Sequence, residues 1–278
     1  MRPIRTFAIL PTMFTLGNLV CGFFAIVIAS RVPTPDSPEG FTQTLAKDPT
    51  HCMLSAWLIF LAMVFDALDG YIARLAKSAS EFGAELDSLC DMVSFGVAPA
   101  FLLVKMCPQF SFLHKEAVWV IAASYAVCAS LRLARFNVET NDEDDHMSFR
   151  GLPSPAAAAS VAGFAIMFHT LSTLSKQDEP PMYAAQIFIG LQWVLPFFAL
   201  LAAGLMVSRI PYPHVVNQVF RGQRTLRHLV GIIFSIVAIM VVRDYAVSIV
   251  CVTFVLYAPV RYVWEKVVQR RHQEESIF

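Results

Sequence analysis

The sequence predicts an all-α protein, a polytopic membrane helix bundle of about eight transmembrane helices with both termini cytoplasmic. Of the 278 residues, 56% are hydrophobic and only 15% charged, where soluble domains average roughly 45–50% apolar and 25% charged. Mean hydropathy is +0.58. The apolar residues also fall into runs of about 20, the length that crosses a bilayer as a helix. The 21 basic and 21 acidic residues cancel, which excludes disordered chains and basic nucleic-acid binders, since both need surplus charge.

The first run, 9–30, follows Arg2 and Arg5 and so has the outline of a secretion signal. Pro11, Gly17 and Asn18 interrupt it, and no small-residue cleavage pattern follows, so it reads as a retained first span. An irregular loop with Pro33, Pro35, Pro38 and Gly40 leads to span 53–74. The turn 75–81 is short, so the next span, 83–104, is expected to run antiparallel beside it. Spans 117–136, 155–174 and 184–207 follow. Stretches 228–242 and 245–263 are split only by Arg243 and Asp244, and form two spans, a re-entrant pair or one tilted element. A polar tail covers 264–278. Residues 1–278 thus read as a single membrane domain, with a catalytic core at about 10–170 and additional spans at about 184–263.

Basic residues favour the cytoplasmic flanks of spans. With the amino terminus inside, fifteen of the 21 lysines and arginines fall on that side, Arg74, Arg132, Arg135, Arg209 and Arg261 among them. The six cysteines show no metal-binding spacing. Most lie inside spans, where cysteine behaves as a small hydrophobe. Cys52 and Cys107 both fall near the outer face, and unpaired thiols are the expected state.

Four aspartates break the apolar pattern. Asp66 and Asp69 lie in the second span, Asp87 and Asp91 in the third, where an ionised carboxylate costs several kcal/mol unless paired, solvated or bound to a cation. Asp66, Asp69, Gly70 and Ala73 share one helical face at i, i+3, i+4 and i+7, and Gly83, Asp87 and Asp91 share another at i, i+4 and i+8. On antiparallel helices these faces meet near the cytoplasmic surface. Four converging carboxylates make a hard oxygen site suited to Mg²⁺ or Mn²⁺, with charge enough for two divalent ions. Two such ions beside the fixed cation Arg74 describe a diphosphate site. Gly70, Ala73 and Gly83 are small either to admit a nucleotide or to let the helices pack closely.

The spacing Asp66-x2-Asp69-Gly70-x2-Ala73-Arg74-x8-Gly83-x3-Asp87-x3-Asp91 resembles the signature of the CDP-alcohol phosphatidyltransferase family at all eight positions. The resemblance implies displacement of CMP from a CDP-linked lipid by an alcohol. It further implies that Asp66, Asp69, Asp87 and Asp91 ligate two metal ions, that Gly70, Ala73 and Gly83 line the CDP pocket, and that Arg74 contacts the diphosphate. Asp91 is implied as the base for the attacking hydroxyl, and a homodimer as the assembly. Stretches Thr15–Gly22, Asp87–Pro99, Arg132–Asn137 and Gly151–Ala156 are similar to members whose lipid substrate is CDP-diacylglycerol and whose acceptor is L-serine. That likeness covers roughly residues 10–170, with only hydropathy similar beyond.

For such an acceptor, Arg132 and Arg135 can share a face and offer guanidinium groups to the serine carboxylate, or they are topology-setting anchors. Asn18 either packs a helix by a hydrogen bond or touches the nucleotide, with the resemblance favouring the nucleotide. Other acceptors, such as glycerol 3-phosphate, inositol phosphate or choline, would use the same core. An intramembrane prenyltransferase would separate its Asp motifs widely along the chain. A cation transporter would leave the Gly70, Ala73 and Arg74 spacing without a purpose. The expected location is an integral membrane protein of the bacterial inner membrane, its site facing the cytoplasm.

Overall fold

The computed structural model describes residues 9–32, 50–76, 81–107, 115–139, 151–175, 182–212 and 245–275. They are helical throughout apart from short connections, and no strand occurs among them. The helices are α1 (Ile9–Ser30), α2 (Thr50–Ala76), α3 (Glu81–Asp91), α4 (Ala98–Met106), α5 (Lys115–Glu139), α6 (Ser154–Leu174), α7 (Met182–Val207) and α8 (Ala246–Glu275). A π-helical segment, Met92–Val97, joins α3 to α4. Counting α3, the π segment and α4 as one, seven of these units are long and apolar enough to cross a membrane. The expected span 228–242 lies outside the described residues. Its neighbour is long enough for a full span, since the 30 residues of α8 reach about 45 Å at 1.5 Å per residue. That helix also runs to Glu275, through most of the stretch expected as a polar tail.

Two units form the centre. In the third unit and in α6, 67% of the membrane window is buried, against 22–44% elsewhere. The reason is residue size. α6 opens Ser-Pro-Ala-Ala-Ala-Ala-Ser, and small side chains let neighbouring backbones approach. Gly163 of α6 sits so near α8 that a Cβ there would lie 3.1 Å from Ser248 Cα, and the Ser248 hydroxyl donates to the Gly163 carbonyl at 2.6 Å. Ser55 of α2 donates to the Ala25 carbonyl of α1 in the same way, at 2.9 Å. Such hydroxyl-to-carbonyl bonds tie helices together where lipid offers no competing partner.

Helix defects are repaired locally. Pro259 in α8 has no N–H, so the carbonyl four residues back, on Val255, loses its usual partner. The Tyr212 hydroxyl, from the stretch after α7, donates to that carbonyl at 3.0 Å. The third unit, expected as one regular helix, widens at Met92–Val97, where the Ala98 N–H bonds the Val93 carbonyl five residues back. All six cysteines are free thiols, as expected, with Cys52 and Cys107 buried.

The residues before α6 form a strap. Gly151 adopts φ +94°, donates its N–H to the Ile210 carbonyl at 2.9 Å, and is followed by Leu152 donating to the Leu205 carbonyl at 3.0 Å. The strap thus lies across the end of α7, bonded to the Leu205 carbonyl in its last turn and to the Ile210 carbonyl just beyond it.

Candidate metal centre

α1 packs along α2 more extensively than any other pair of elements and also touches α3, the π segment and α4. This three-way junction holds the acidic residues. Asp66 and Asp69 come from adjacent turns of α2 and Asp87 from α3. One carboxylate oxygen of each lies within 4.8 Å of the other two. Asp69 is 6% exposed. Its carboxylate is within hydrogen-bonding reach of the Thr15 hydroxyl of α1 and of the Asp87 carboxyl.

Asp91 stands apart from this group. It is 8% exposed, and its Oδ1 accepts a 2.9 Å hydrogen bond from Nδ2 of Asn18. Asp66, Asp69 and Asp87 are thus the closest-set of the four aspartates expected to converge, and the fourth, Asp91, is bonded to α1. Asn18 is wholly buried, so of the two roles open to it the geometry supplies the helix-packing bond.

The donor set fits a divalent cation. Asp69 Oδ2 and Asp87 Oδ1 are buried with no hydrogen-bond partner among the described residues, and an unpaired buried carboxylate oxygen is too costly to leave without a counter-charge. Three converging carboxylate oxygens are a hard site of the kind Mg²⁺ and Mn²⁺ prefer. Gly70 follows Asp69, and among the described residues nothing lies within 4 Å of where a Cβ would stand. Gly83 sits one turn before Asp87 and is half-buried. Ala73 and Arg74 occupy the last turns of α2, but their side chains lie outside the described residues.

The two arginines of α5 part company. The Arg132 Nη1 donates to the Ser154 hydroxyl at 2.8 Å, and its guanidinium interacts electrostatically with Asp66 and Asp91. The Arg135 Nη1 instead donates to the Val207 carbonyl at 3.0 Å, where a cation meets the negative end of α7. The two guanidinium groups thus take different protein partners. Asn137 binds Ser88 of α3 through its amide, Nδ2 to Oγ at 2.9 Å, which fixes α5 against the helix carrying Asp87 and Asp91.

Sequence reasoning assigns no role to Thr15 or Ser94. A signal is present for Thr15, since Thr15, Asn18 and Gly22 stand at i, i+3 and i+7, a polar and small stripe on an otherwise apolar helix. Ser94 gives none, because its contact depends on how α1 crosses the π segment.

The chain is similar to known proteins along most of its length. Residues 8–205 match the model of the CDP-alcohol phosphatidyltransferase family, which carries the likeness well past residue 170. The chain is similar to the CDP-diacylglycerol–serine O-phosphatidyltransferase of Helicobacter pylori strain J99, 29% identical over 263 residues that make up 94% of each chain. It is also similar to proteins of the same name from Methanocaldococcus jannaschii, 32% identical over 74% of this chain and 83% of the relative, and from Saccharomyces cerevisiae, 38% identical over 54% and 51%.

Proposed function

Because the chain belongs to the CDP-alcohol phosphatidyltransferase family, we propose that it transfers the phosphatidyl group of CDP-diacylglycerol to the hydroxyl of L-serine, releasing phosphatidylserine and CMP. The observation that carries this reading is the meeting of Asp66, Asp69 and Asp87 within 4.8 Å, with Asp91 and Arg132 near enough to act on it electrostatically. The names of the relatives supply the acceptor. Family membership also removes the reason to keep a prenyltransferase or a cation transporter in view.

Asp66, Asp69 and Asp87 would hold a first divalent ion, Mg²⁺ or Mn²⁺, and Asp91 would serve the second of the two that the carboxylate charge allows. When bound, such ions neutralise the diphosphate and stabilise charge developing on it. Gly70, Ala73 and Gly83 line the CDP pocket and Arg74 contacts the diphosphate. Asp91 takes the proton from the serine hydroxyl, whose oxygen bonds to the lipid-proximal phosphorus. The phosphorus–oxygen bond to CMP breaks, and CMP leaves with the electron pair.

Arg132 binds the serine carboxylate in this reading. Its electrostatic pairing with Asp66 and Asp91 supports the assignment, since a carboxylate held there brings its hydroxyl beside the base. Arg135 has a smaller part, one nitrogen being engaged by Val207. The protein is an integral membrane protein. We place its site on the cytoplasmic side of a bacterial inner membrane, with both termini there, on the support of the basic flanks, and the homodimer implied by resemblance stands as part of the same proposal.

The test is lipid synthesis in membranes containing the protein, with Mg²⁺ or Mn²⁺ and CDP-diacylglycerol. Labelled serine is expected to enter lipid with equal release of CMP. Label from glycerol 3-phosphate and none from serine would remove the acceptor assignment, and no CMP with any family alcohol would remove the enzyme assignment.

A further inference from the structure

Two hydrogen bonds join α1 to the third unit, one on each side of the boundary between α3 and the π segment. Asn18 Nδ2 donates to Asp91 Oδ1 at 2.9 Å. Three residues further along the unit, the Ser94 hydroxyl donates to the Asn18 backbone carbonyl at 2.9 Å. Asn18 and Ser94 are both fully buried. One turn beyond Asn18, Gly22 lies against the same serine so closely that a Cβ would fall 2.7 Å from Ser94 Cα.

This arrangement is costly unless it serves Asp91. Asn18 Oδ1 is buried and has no hydrogen-bond partner among the described residues, a penalty of the kind native structures seldom keep without a use. The amide must present its N–H to a carboxylate, which only accepts, so the orphaned oxygen follows from serving Asp91. Asp91 is also the last residue before the π segment. Such segments interrupt the regular ladder and are frequent at functional sites, and an outside hold on the side chain compensates for the weaker local one.

We propose that Asn18 is a positioning residue for Asp91: it occupies one carboxylate oxygen, leaves the other directed into the site, and keeps Asp91 out of the three-carboxylate group, with Ser94 and Gly22 setting the register of the hold. The proposal rests on the phosphatidyl-transfer reading above for its kinetic consequence. It reassigns Asn18 from the CDP pocket, because a wholly enclosed side chain bonded to Asp91 acts on the nucleotide only through that carboxylate.

The experiment uses the full chain purified in detergent, comparing Asn18→Ala with Ser55→Ala. Ser55 makes an equally buried bond to α1, at Ala25, seven residues from Asn18 and so about two helical turns away. With serine and CDP-diacylglycerol in mixed micelles, Asn18→Ala is expected to lower kcat about 10–100-fold, as loss of an outer-shell partner typically does. Both KM values and the affinity for CMP with Mg²⁺ should stay within about twofold, since no binding contact is removed. Ser55→Ala should melt earlier and keep its kcat. Retained kcat in Asn18→Ala, a loss expressed as weaker CMP binding, or an equal kcat loss in Ser55→Ala would each overturn the proposal.

A second measurement needs no turnover. Melting shifts of Asn18→Ala, Asp91→Asn and the double variant should be non-additive, as for residues in direct contact; additive shifts would overturn the hold on Asp91. If the wild-type protein makes no lipid from serine, the acceptor reading fails, and this melting cycle still decides the role of Asn18.

Discussion

Gly151→Ala tests whether the strap across the end of α7 supports the acceptor side of the site. At φ +94° an L residue costs about 1–2 kcal/mol. The added Cβ would also lie 2.6 Å from the Met206 carbonyl oxygen and 3.0 Å from that of Ser208, backbone atoms that cannot rotate away. Relief requires the strap to lift, which breaks one or both of its bonds to Ile210 and Leu205, each worth about 1 kcal/mol net. The sum is about 2–4 kcal/mol, enough to shift the docked strap toward a detached form by a factor of about 30 or more. Ser154, which holds Arg132 at 2.8 Å, follows the strap directly. The variant should therefore melt earlier and show an apparent KM for serine raised about tenfold, with CMP binding intact, as expected when a binding contact is weakened. The assay is initial rate against labelled serine at saturating CDP-diacylglycerol, alongside melting. Gly204→Ala in α7 is the control, since nothing lies within 4 Å of its added Cβ; it should be neutral or gain up to about 1 kcal/mol. A Gly151→Ala protein that keeps wild-type melting and serine KM would refute the link from strap to Arg132.

Three further outcomes follow from the site and its supports. Asp87→Asn should abolish turnover and weaken Mn²⁺ binding seen by electron paramagnetic resonance, whereas Asp91→Asn should abolish turnover but keep the Mn²⁺ site of Asp66, Asp69 and Asp87; equal loss of Mn²⁺ in both would show that Asp91 belongs to the group. Gly22→Ala forces α1 away from Ser94 Cα, at an overpacking cost of about 1–3 kcal/mol, and should lower both melting temperature and kcat; unchanged values would mean the two helices slide apart freely. Tyr212→Phe leaves the Val255 carbonyl without its donor and should destabilise by about 1–2 kcal/mol with kcat unaltered, and a melting curve identical to wild type would remove that repair of Pro259.

Several features are legible in the sequence because they are periodic. Asp66, Asp69 and Asp87 meet as the helical spacing requires. The third unit reads as a regular helix because nothing in Met92–Val97 forces a π turn; the stretch contains no proline, and its widening answers packing against α1 and α5. The hold of Asn18 on Asp91 joins positions 73 apart, and that of Arg135 on Val207 joins positions 72 apart. Pairs of that kind depend on how helices cross, which local pattern does not encode. Arg132 and Arg135 show the limit well: spacing puts both on one face, yet each takes the partner that tertiary packing brings within reach.

The π segment has a consequence for how this chain tolerates change in length. By holding an extra residue in its turn, it keeps α3, which bears Asp87 and Asp91, in the phase that a regular helix one residue shorter would have relative to α4, which is locked into the core by Leu102, Leu103 and Met106. Removing any one residue between Met92 and Val97 would let the regular ladder close. Because the wide turn had absorbed that residue, the aspartate half would keep its phase, whereas removing a second residue would turn it by about 100°, the angle one residue contributes to a helix, and swing both carboxylates out of register with α2. The residue count of this stretch is therefore a determinant of the site in its own right, and a scan by substitution alone would pass over it.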